Sequence, residues 1–153
     1  MLSHVDQGQP TMVSIVEKAE TLRSASARCF VKLPSKLSEY LRENDGNTGK
    51  GPVFTTAIIA GTMAVKKTHD LIPFCHPIAI ESCKITIRHV EDTLVVECTV
   101  SARYKTGVEM EALVGVNLAA LTIYDMCKAI SHEIIIDDLH LIKKTGGKRD
   151  VVV

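Results

Sequence analysis

The sequence has no tryptophan and only three phenylalanines and three tyrosines. Proteins that hold single-stranded nucleic acid stack its bases on aromatic rings, and such a platform is poorly supplied here. An excess of one charge is also missing, because eighteen Lys and Arg balance eighteen Asp and Glu. That balance argues against a general binder of nucleic acid or of membrane surfaces, which needs a positive surplus. No apolar run approaches the ~20 residues required to span a bilayer. Met1 to Pro10 is polar and lacks a basic stretch followed by an apolar one, so no secretory leader is expected. The five cysteines (Cys29, Cys75, Cys83, Cys98 and Cys127) are odd in number and widely spread. The expectation is reduced thiols in a cytoplasmic protein.

What remains is an ordinary globular composition. The chain has 153 residues, 46% hydrophobic and 24% charged, enough for one domain with its own core. We expect a single domain over residues 1–153, with residues 1–11 as a mobile polar arm. Ala27 to Leu33 alternates as a strand with one wet face. Pro34-Ser35 suggests Ser35 as the N-cap of a helix over Lys36 to Arg42. Asn44 to Gly49 reads as a loop. Pro52 opens an apolar helix from Val53 to about Lys67. Pro73 and Pro77 bracket an irregular segment, Phe74-Cys75-His76. Ser82 to Val90 and Leu94 to Ala102 are strands, with a hairpin turn at Glu91-Asp92-Thr93. Glu109 to Ser131 is the longest helical pattern, apolar over more than one stripe, which predicts burial on two sides by the sheet and by another subunit. Ile134 to Leu141 is the last strand. This order predicts an α+β, ferredoxin-like βαββαβ sandwich with helices on one face of an antiparallel sheet. The other sheet face would need a partner.

Several constellations carry potential chemistry. Asp125 and Lys128 share a helix face three residues apart. They read either as a surface ion pair or as an acid and a base in semi-buried surroundings. Lys105 to Glu111 places Thr106 and Gly107 before Glu109 and Glu111. Both acids suit a helix N-terminus, and the segment could also shape a ligand site. Glu111 and Asp125 lie nearly four turns apart and project from a similar side. Cys75 beside His76 suggests a nucleophile, a ligand pair or a structural turn. No Cys-x-x-Cys pair and no His-Glu-x-x-His stand in the sequence, and no metal is expected. Lys50, Lys66, Lys67, Lys143, Lys144 and Lys148 are solvated cations one by one. Yet Lys50 and Lys144 to Lys148 join lysine to glycine in loops suited to phosphates, without a Walker motif. A neutral chain with a concentrated basic site suits a small polyanion better than a nucleic acid.

These segments resemble the cyclic pyranopterin monophosphate synthase family, protein C of the first step of molybdenum cofactor biosynthesis. The resemblance is carried by Lys50-Gly51 with Val53 to Ala57, by Asp70 to Pro77, by Thr106 to Leu113 and by Leu121 to Lys128, in that order. It covers about Met12 to Arg149. It implies a ferredoxin-like subunit in a homohexamer, a trimer of dimers with the active site at the dimer interface. The implied substrate is 3′,8-cyclo-7,8-dihydroguanosine triphosphate, made from GTP by a radical enzyme with which contact is possible. The product is a pterin carrying a cyclic phosphate, with pyrophosphate released and no cofactor used. Asp125 matches the catalytic aspartate, with Lys128 as its acid/base companion. Phe74, Cys75 and His76 match one substrate-binding segment. Glu109, Met110 and Glu111 match another. Lys50 and Lys144 match lysines that engage the phosphates or the chemistry, and Lys66 is a looser match. The family's opening Met-Val-Asp-Val-Ser is Met12-Val13-Ser14-Ile15-Val16 here, without the aspartate.

The chemistry implied makes a further expectation. Lys128 should have a pKa lowered by basic neighbours, with Asp125 orienting it. The rival reading is a catalytically idle ferredoxin-like module that binds nucleotides or regulates. A weaker rival is a metal-dependent hydrolase built on His69, His76 and Cys75.

Overall fold

The computed structural model describes residues 5, 6 and 8–153. Part of the arm expected at residues 1–11 lies outside them. Its described part is a short hairpin of β1 (Val5–Asp6) and β2 (Gln9–Pro10). The remaining elements are β3 (Thr21–Lys32), α1 (Ser35–Glu43), β4 (Asn47–Thr48), β5 (Gly51–Pro52), α2 (Val53–Lys66) and α3 (Thr68–Leu71). β6 (Ser82–Val90), β7 (Thr93–Tyr104), α4 (Glu109–Cys127), β8 (Ile135–Thr145) and β9 (Val151–Val152) complete the chain.

The main sheet has the order β6-β7-β3-β8-β9, with every pairing antiparallel. Without the short β9, this is the expected βαββαβ arrangement. β3 lies at its centre because alternate residues are small or apolar. Ala25, Ala27, Cys29 and Val31 point to the helix layer and are fully buried or nearly so, as are Leu94, Val96, Cys98, Val100 and Ala102 from β7. The opposite sheet face is polar. Ser26 and Thr99 share a hydroxyl–hydroxyl bond of 2.7 Å, Arg28 Nε donates to Glu97 at 2.7 Å, and Lys32 pairs with Asp137. Leu22 and Ile135 interrupt this polar surface as exposed apolar side chains.

α2 and α4 pack against each other and against the inner sheet face. They come into tight contact at two glycines. A Cβ on Gly61 would stand 2.8 Å from the carbonyl oxygen of Gly115, and a Cβ on Gly115 would stand 2.6 Å from Val65 and 2.9 Å from the Cys98 sulfur. Within the subunit the sheet takes one side of α4 and α2 another, while Met110 and Leu121 stay exposed. α4 is long and apolar enough to cross a membrane by length and composition, contrary to the expectation that no run came close. It is a core helix instead, with Ala112, Val116, Ala119, Ala120 and Ile123 inaccessible.

Several boundaries differ from expectation. Strand β3 begins six residues earlier, at Thr21 rather than Ala27. Polar Ser24 and Ser26 break the apolar run, but both lie on the wet face. Pro34, not Ser35, occupies the cap position of α1, and the Ser35 hydroxyl donates to Asp92 at 2.6 Å. α4 ends at Cys127, four residues early, because Lys128 to Ile130 turn away. Residues 44–52 contain the small β4–β5 hairpin. Lys144 and Thr145, expected in a basic tail, end strand β8.

Candidate active site

Apart from Lys66, the expected site residues collect at the two ends of α4. At its C-terminal end, Asp125 accepts from two lysines. Lys128 Nζ is 2.8 Å from Oδ1, and Lys50 Nζ is 3.0 Å from Oδ2 and 2.8 Å from the main-chain oxygen of Asp125. Helix geometry puts Lys128 there, three residues on. Lys50 arrives from the turn between β4 and β5. The chain enters β4 through Asp45 and Gly46, both at positive φ, with Gly46 packed under the ring of Phe54, and Gly51, at φ 108°, follows Lys50.

The electrostatics of this cluster follow from the hydrogen bonds. Lys128 first, then Lys50, hold the Asp125 carboxyl below its ordinary range. Asp125 in turn raises Lys128 above the usual lysine value. The expected lowering of the Lys128 pKa is therefore corrected: its nearest charge is an anion in direct contact, which favours the ammonium form. All three groups are substantially exposed.

The N-terminal end of α4 builds a cleft of about 230 Å³. Its floor is Thr106 to Glu111. Phe74, Cys75 and His76 form one wall, held in an irregular turn where Cys75 N–H donates to the Ile72 carbonyl at 3.1 Å. Val13 and Ile15 cross over it, and His76 Nε2 bonds the Val13 carbonyl at 2.7 Å. Ser14, standing where the family has aspartate, is exposed within this strap. Phe74 and Met110 give the cleft an exposed apolar lip.

Glu111 is only 4% exposed. Burial first, then the nearby charge of Glu109, push its carboxyl upward. Burial and Glu111 push the Cys75 thiol upward too. A thiol held neutral suits a hydrogen-bonding wall better than a nucleophile. Glu111 and Asp125, expected to project from a similar side of the helix, do not line one wall. Fourteen positions of helix separate them by about 21 Å at 1.5 Å per residue, and one is buried while the other faces solvent.

A second, basic cleft of about 680 Å³ continues from the first through Lys18, Thr106, Gly107 and Glu109. Lys144 lines it and pairs with Glu109 at 3.0 Å. Lys144 sits opposite Ala25, on the inner phase of the sheet, because β8 shifts register twice against β3. Arg23, Lys105, Lys148 and Arg149 add positive charge. Gly146, at φ 86°, permits the close approach to the Leu22 carbonyl that shapes this rim. Reading the sequence for motifs missed Lys18, Arg23 and Arg149, whereas Lys105 belongs to the segment already expected to shape a ligand site. A signal for Arg23 was present: it continues the inward phase Ala25-Ala27-Cys29-Val31 once the strand is extended. Its Nε is buried without a hydrogen-bond partner among the described residues. Lys66 joins neither cluster; it is exposed on the last turn of α2. Among the described residues no three His, Cys, Asp or Glu side chains converge as metal ligands.

Comparison with known proteins shows the family. The profile of the MoaC family matches residues 12–147. The chain is 52% identical to the cyclic pyranopterin monophosphate synthase of Xanthomonas axonopodis pv. citri, over 98% of this chain and 92% of that protein. It is 55% identical to the molybdenum cofactor biosynthesis bifunctional protein of Synechocystis, over 99% of this chain but only 45% of that one. Against molybdenum cofactor biosynthesis protein 1 of Dictyostelium discoideum, identity is 52% over 95% of this chain and 26% of the longer protein. The chain belongs to the MoaC family.

Proposed function

We propose that this chain is a lyase that converts 3′,8-cyclo-7,8-dihydroguanosine 5′-triphosphate to cyclic pyranopterin monophosphate and pyrophosphate, in the first step of molybdenum cofactor biosynthesis. The observation that carries the reading is the pairing, in a MoaC family member, of a polar cleft with a basic one. A triphosphate carries about four negative charges, and its leaving pyrophosphate needs converging cations. Lys144, Arg23, Lys18 and Lys105 line a cleft that meets this need. The adjoining cleft offers His76, Cys75, Glu109 and Glu111 to the base and sugar, with Phe74 and Met110 as its apolar lip.

Asp125 and Lys128 carry the acid–base work in this reading, with Lys50 holding the carboxylate. Opening and reclosing a purine needs several proton transfers, and a charged Lys128 in contact with Asp125 is set to donate one. The two ends of α4 are too far apart to meet on one small substrate. A second copy that brings its Asp125 end to the first copy's Glu111 end would complete the site. This supports a homohexamer arranged as a trimer of dimers, with active sites at the dimer interface. The reading needs no cofactor and no metal. It places a single-domain enzyme in the cytoplasm, without membrane or nucleic-acid partners. Contact with the radical enzyme upstream belongs to this reading, and the longer relatives support a partner in molybdenum cofactor biosynthesis.

The test is turnover of the cyclised GTP intermediate, followed by pyrophosphate release and by pterin fluorescence after oxidation. Wild type should yield both products, and Asp125→Ala should bind the intermediate without yielding either. Binding without turnover by wild type would favour the idle nucleotide-binding module.

A further inference from the structure

Asp125 meets its second lysine across a loop whose tip, Gly49 to Gly51, is not buried. Lys50 is exposed and lies between two glycines, Gly49 and Gly51, the second at φ 108°. A lysine on so free a stretch of backbone loses much rotamer and backbone entropy when it is fixed at one point. Yet its ammonium meets two oxygens of Asp125, at 2.8 and 3.0 Å. Something must tie this turn to the end of α4.

That tie is one side chain. Thr48 Oγ1 donates to the main-chain oxygen of Met126 at 3.0 Å, and it accepts from the backbone N–H of Lys50 at 3.3 Å. Met126 is the residue next to Asp125. The last carbonyls of a helix have no partner within the helix, so the Met126 carbonyl is free to accept. One hydroxyl therefore clamps the backbone of Lys50 to the helix turn that carries Asp125. Thr48 is half-buried, and its two bonds use both the donor and an acceptor site of the hydroxyl.

We infer that Thr48 is a positioning residue for the reaction, its hydroxyl fixing Lys50 against Asp125 by bridging the Lys50 amide and the Met126 carbonyl. The inference rests on the function proposed above. It adds a residue that touches neither Asp125 nor the clefts through its side chain. The charged and titratable groups around Asp125 are Lys50 from the β4–β5 turn and Lys128 from the end of α4, with Tyr124 beside Lys128. Releasing Lys50 removes one of the two cations that favour the Asp125 carboxylate, so its titration should move up toward the ordinary range.

The experiment compares wild type with Thr48→Val, which keeps the shape and deletes the hydroxyl, and Thr48→Ser, which restores it. Thr48→Ala, which adds no bulk, is carried alongside. Two readouts are taken: kcat/KM with the cyclised GTP intermediate, and the carboxyl titration of Asp125 by carbon-13 NMR. Loss of one net hydrogen bond corresponds to a fall in kcat/KM of about five- to tenfold for the Val and Ala variants. Their Asp125 titration should shift upward, and Thr48→Ser should return both readouts to near wild type. Wild-type kcat/KM and an unmoved titration in both Val and Ala variants would overturn the inference. A fall in rate that Ser does not rescue, with the titration unmoved, would overturn it as well. A shifted titration in a protein whose wild type has no turnover would leave the clamp standing and remove the proposed function.

Discussion

Lys144 Nζ stands 3.0 Å from Glu109 Oε1 at the point where the polar and basic clefts meet. The anion that neutralises this lysine must release it, or share it, when a triphosphate enters. Glu109→Gln should therefore tighten binding of inorganic triphosphate, and Lys144→Ala should weaken it. A charge-assisted hydrogen bond corresponds to roughly ten- to hundredfold in affinity. Isothermal titration calorimetry at fixed ionic strength checks both signs; equal affinities in wild type and Lys144→Ala would remove Lys144 from the phosphate subsite.

Arg23 carries a buried Nε without a partner, and its Nη2 donates to the Lys105 carbonyl at 3.4 Å. A buried donor left unpaired costs roughly 1–3 kcal/mol. Arg23→Met removes that cost along with the charge. The variant should melt no lower than wild type and should bind inorganic triphosphate more weakly. A lower melting temperature with unchanged binding would mean that Arg23 serves the fold rather than the cleft.

Glu111 has its carboxyl pKa raised in the fold, by burial foremost. The folded state then binds more protons than the unfolded chain across the window from the ordinary glutamate range up to the raised value. Stability contributed by this group is present at low pH and declines as pH rises through that window. Glu111→Gln abolishes the titration. Its stability against pH should be flatter than that of wild type above about pH 4.3. Urea melts at a series of pH values would show it, and parallel curves for the two proteins would count against a buried neutral carboxyl.

Gly61 and Gly115 bring α2 and α4 together with no space for a methyl group. The obstructing atoms include a backbone carbonyl, which cannot swing aside. Gly61→Ala should destabilise by about 1–3 kcal/mol despite the better helix propensity of alanine. Thermal melting decides it; an unchanged or higher melting temperature would show that the helices separate freely at this crossing.

The cysteines differ in reactivity although all five are free. Hydrogen bonding to Cys98 and Thr62 brings the Cys83 thiol down to about 7, whereas burial pushes Cys29 up to about 12 and Cys127 to about 11. The thiolate is the nucleophile, so iodoacetamide near neutral pH should label Cys83 before Cys29, Cys98 and Cys127. Peptide mass mapping of a time course gives the order, and early labelling of Cys29 or Cys127 would contradict it.

The elements were legible where the pattern was local. Alternation marked both strands of the β6–β7 hairpin, and Pro52 marked the start of α2. The αL turn at Glu91 closed the hairpin where expected. The first six residues of β3 were hidden because their wet face carries Ser24 and Ser26, which resemble a loop when the pairing with β7 is unknown. Strand β8 extended to Thr145 because two register shifts against β3 continue its ladder past the expected end.

The sequence by itself determined the order of elements and the composition of the motifs: Asp125 with Lys128 by helical spacing, and His76 in a turn fixed by flanking prolines. Those are short-range constraints of backbone and spacing, written in neighbouring residues. Only the tertiary structure decided which motifs meet. It brought Lys50 to Asp125 across 75 positions, drew Arg23 and Lys144 into one basic cleft, and left Glu111 buried while Asp125 is open. It also set the Lys128 ammonium against a carboxylate, reversing the expected direction of its pKa. These outcomes depend on loop paths, sheet register and burial, which arise from contacts between distant segments.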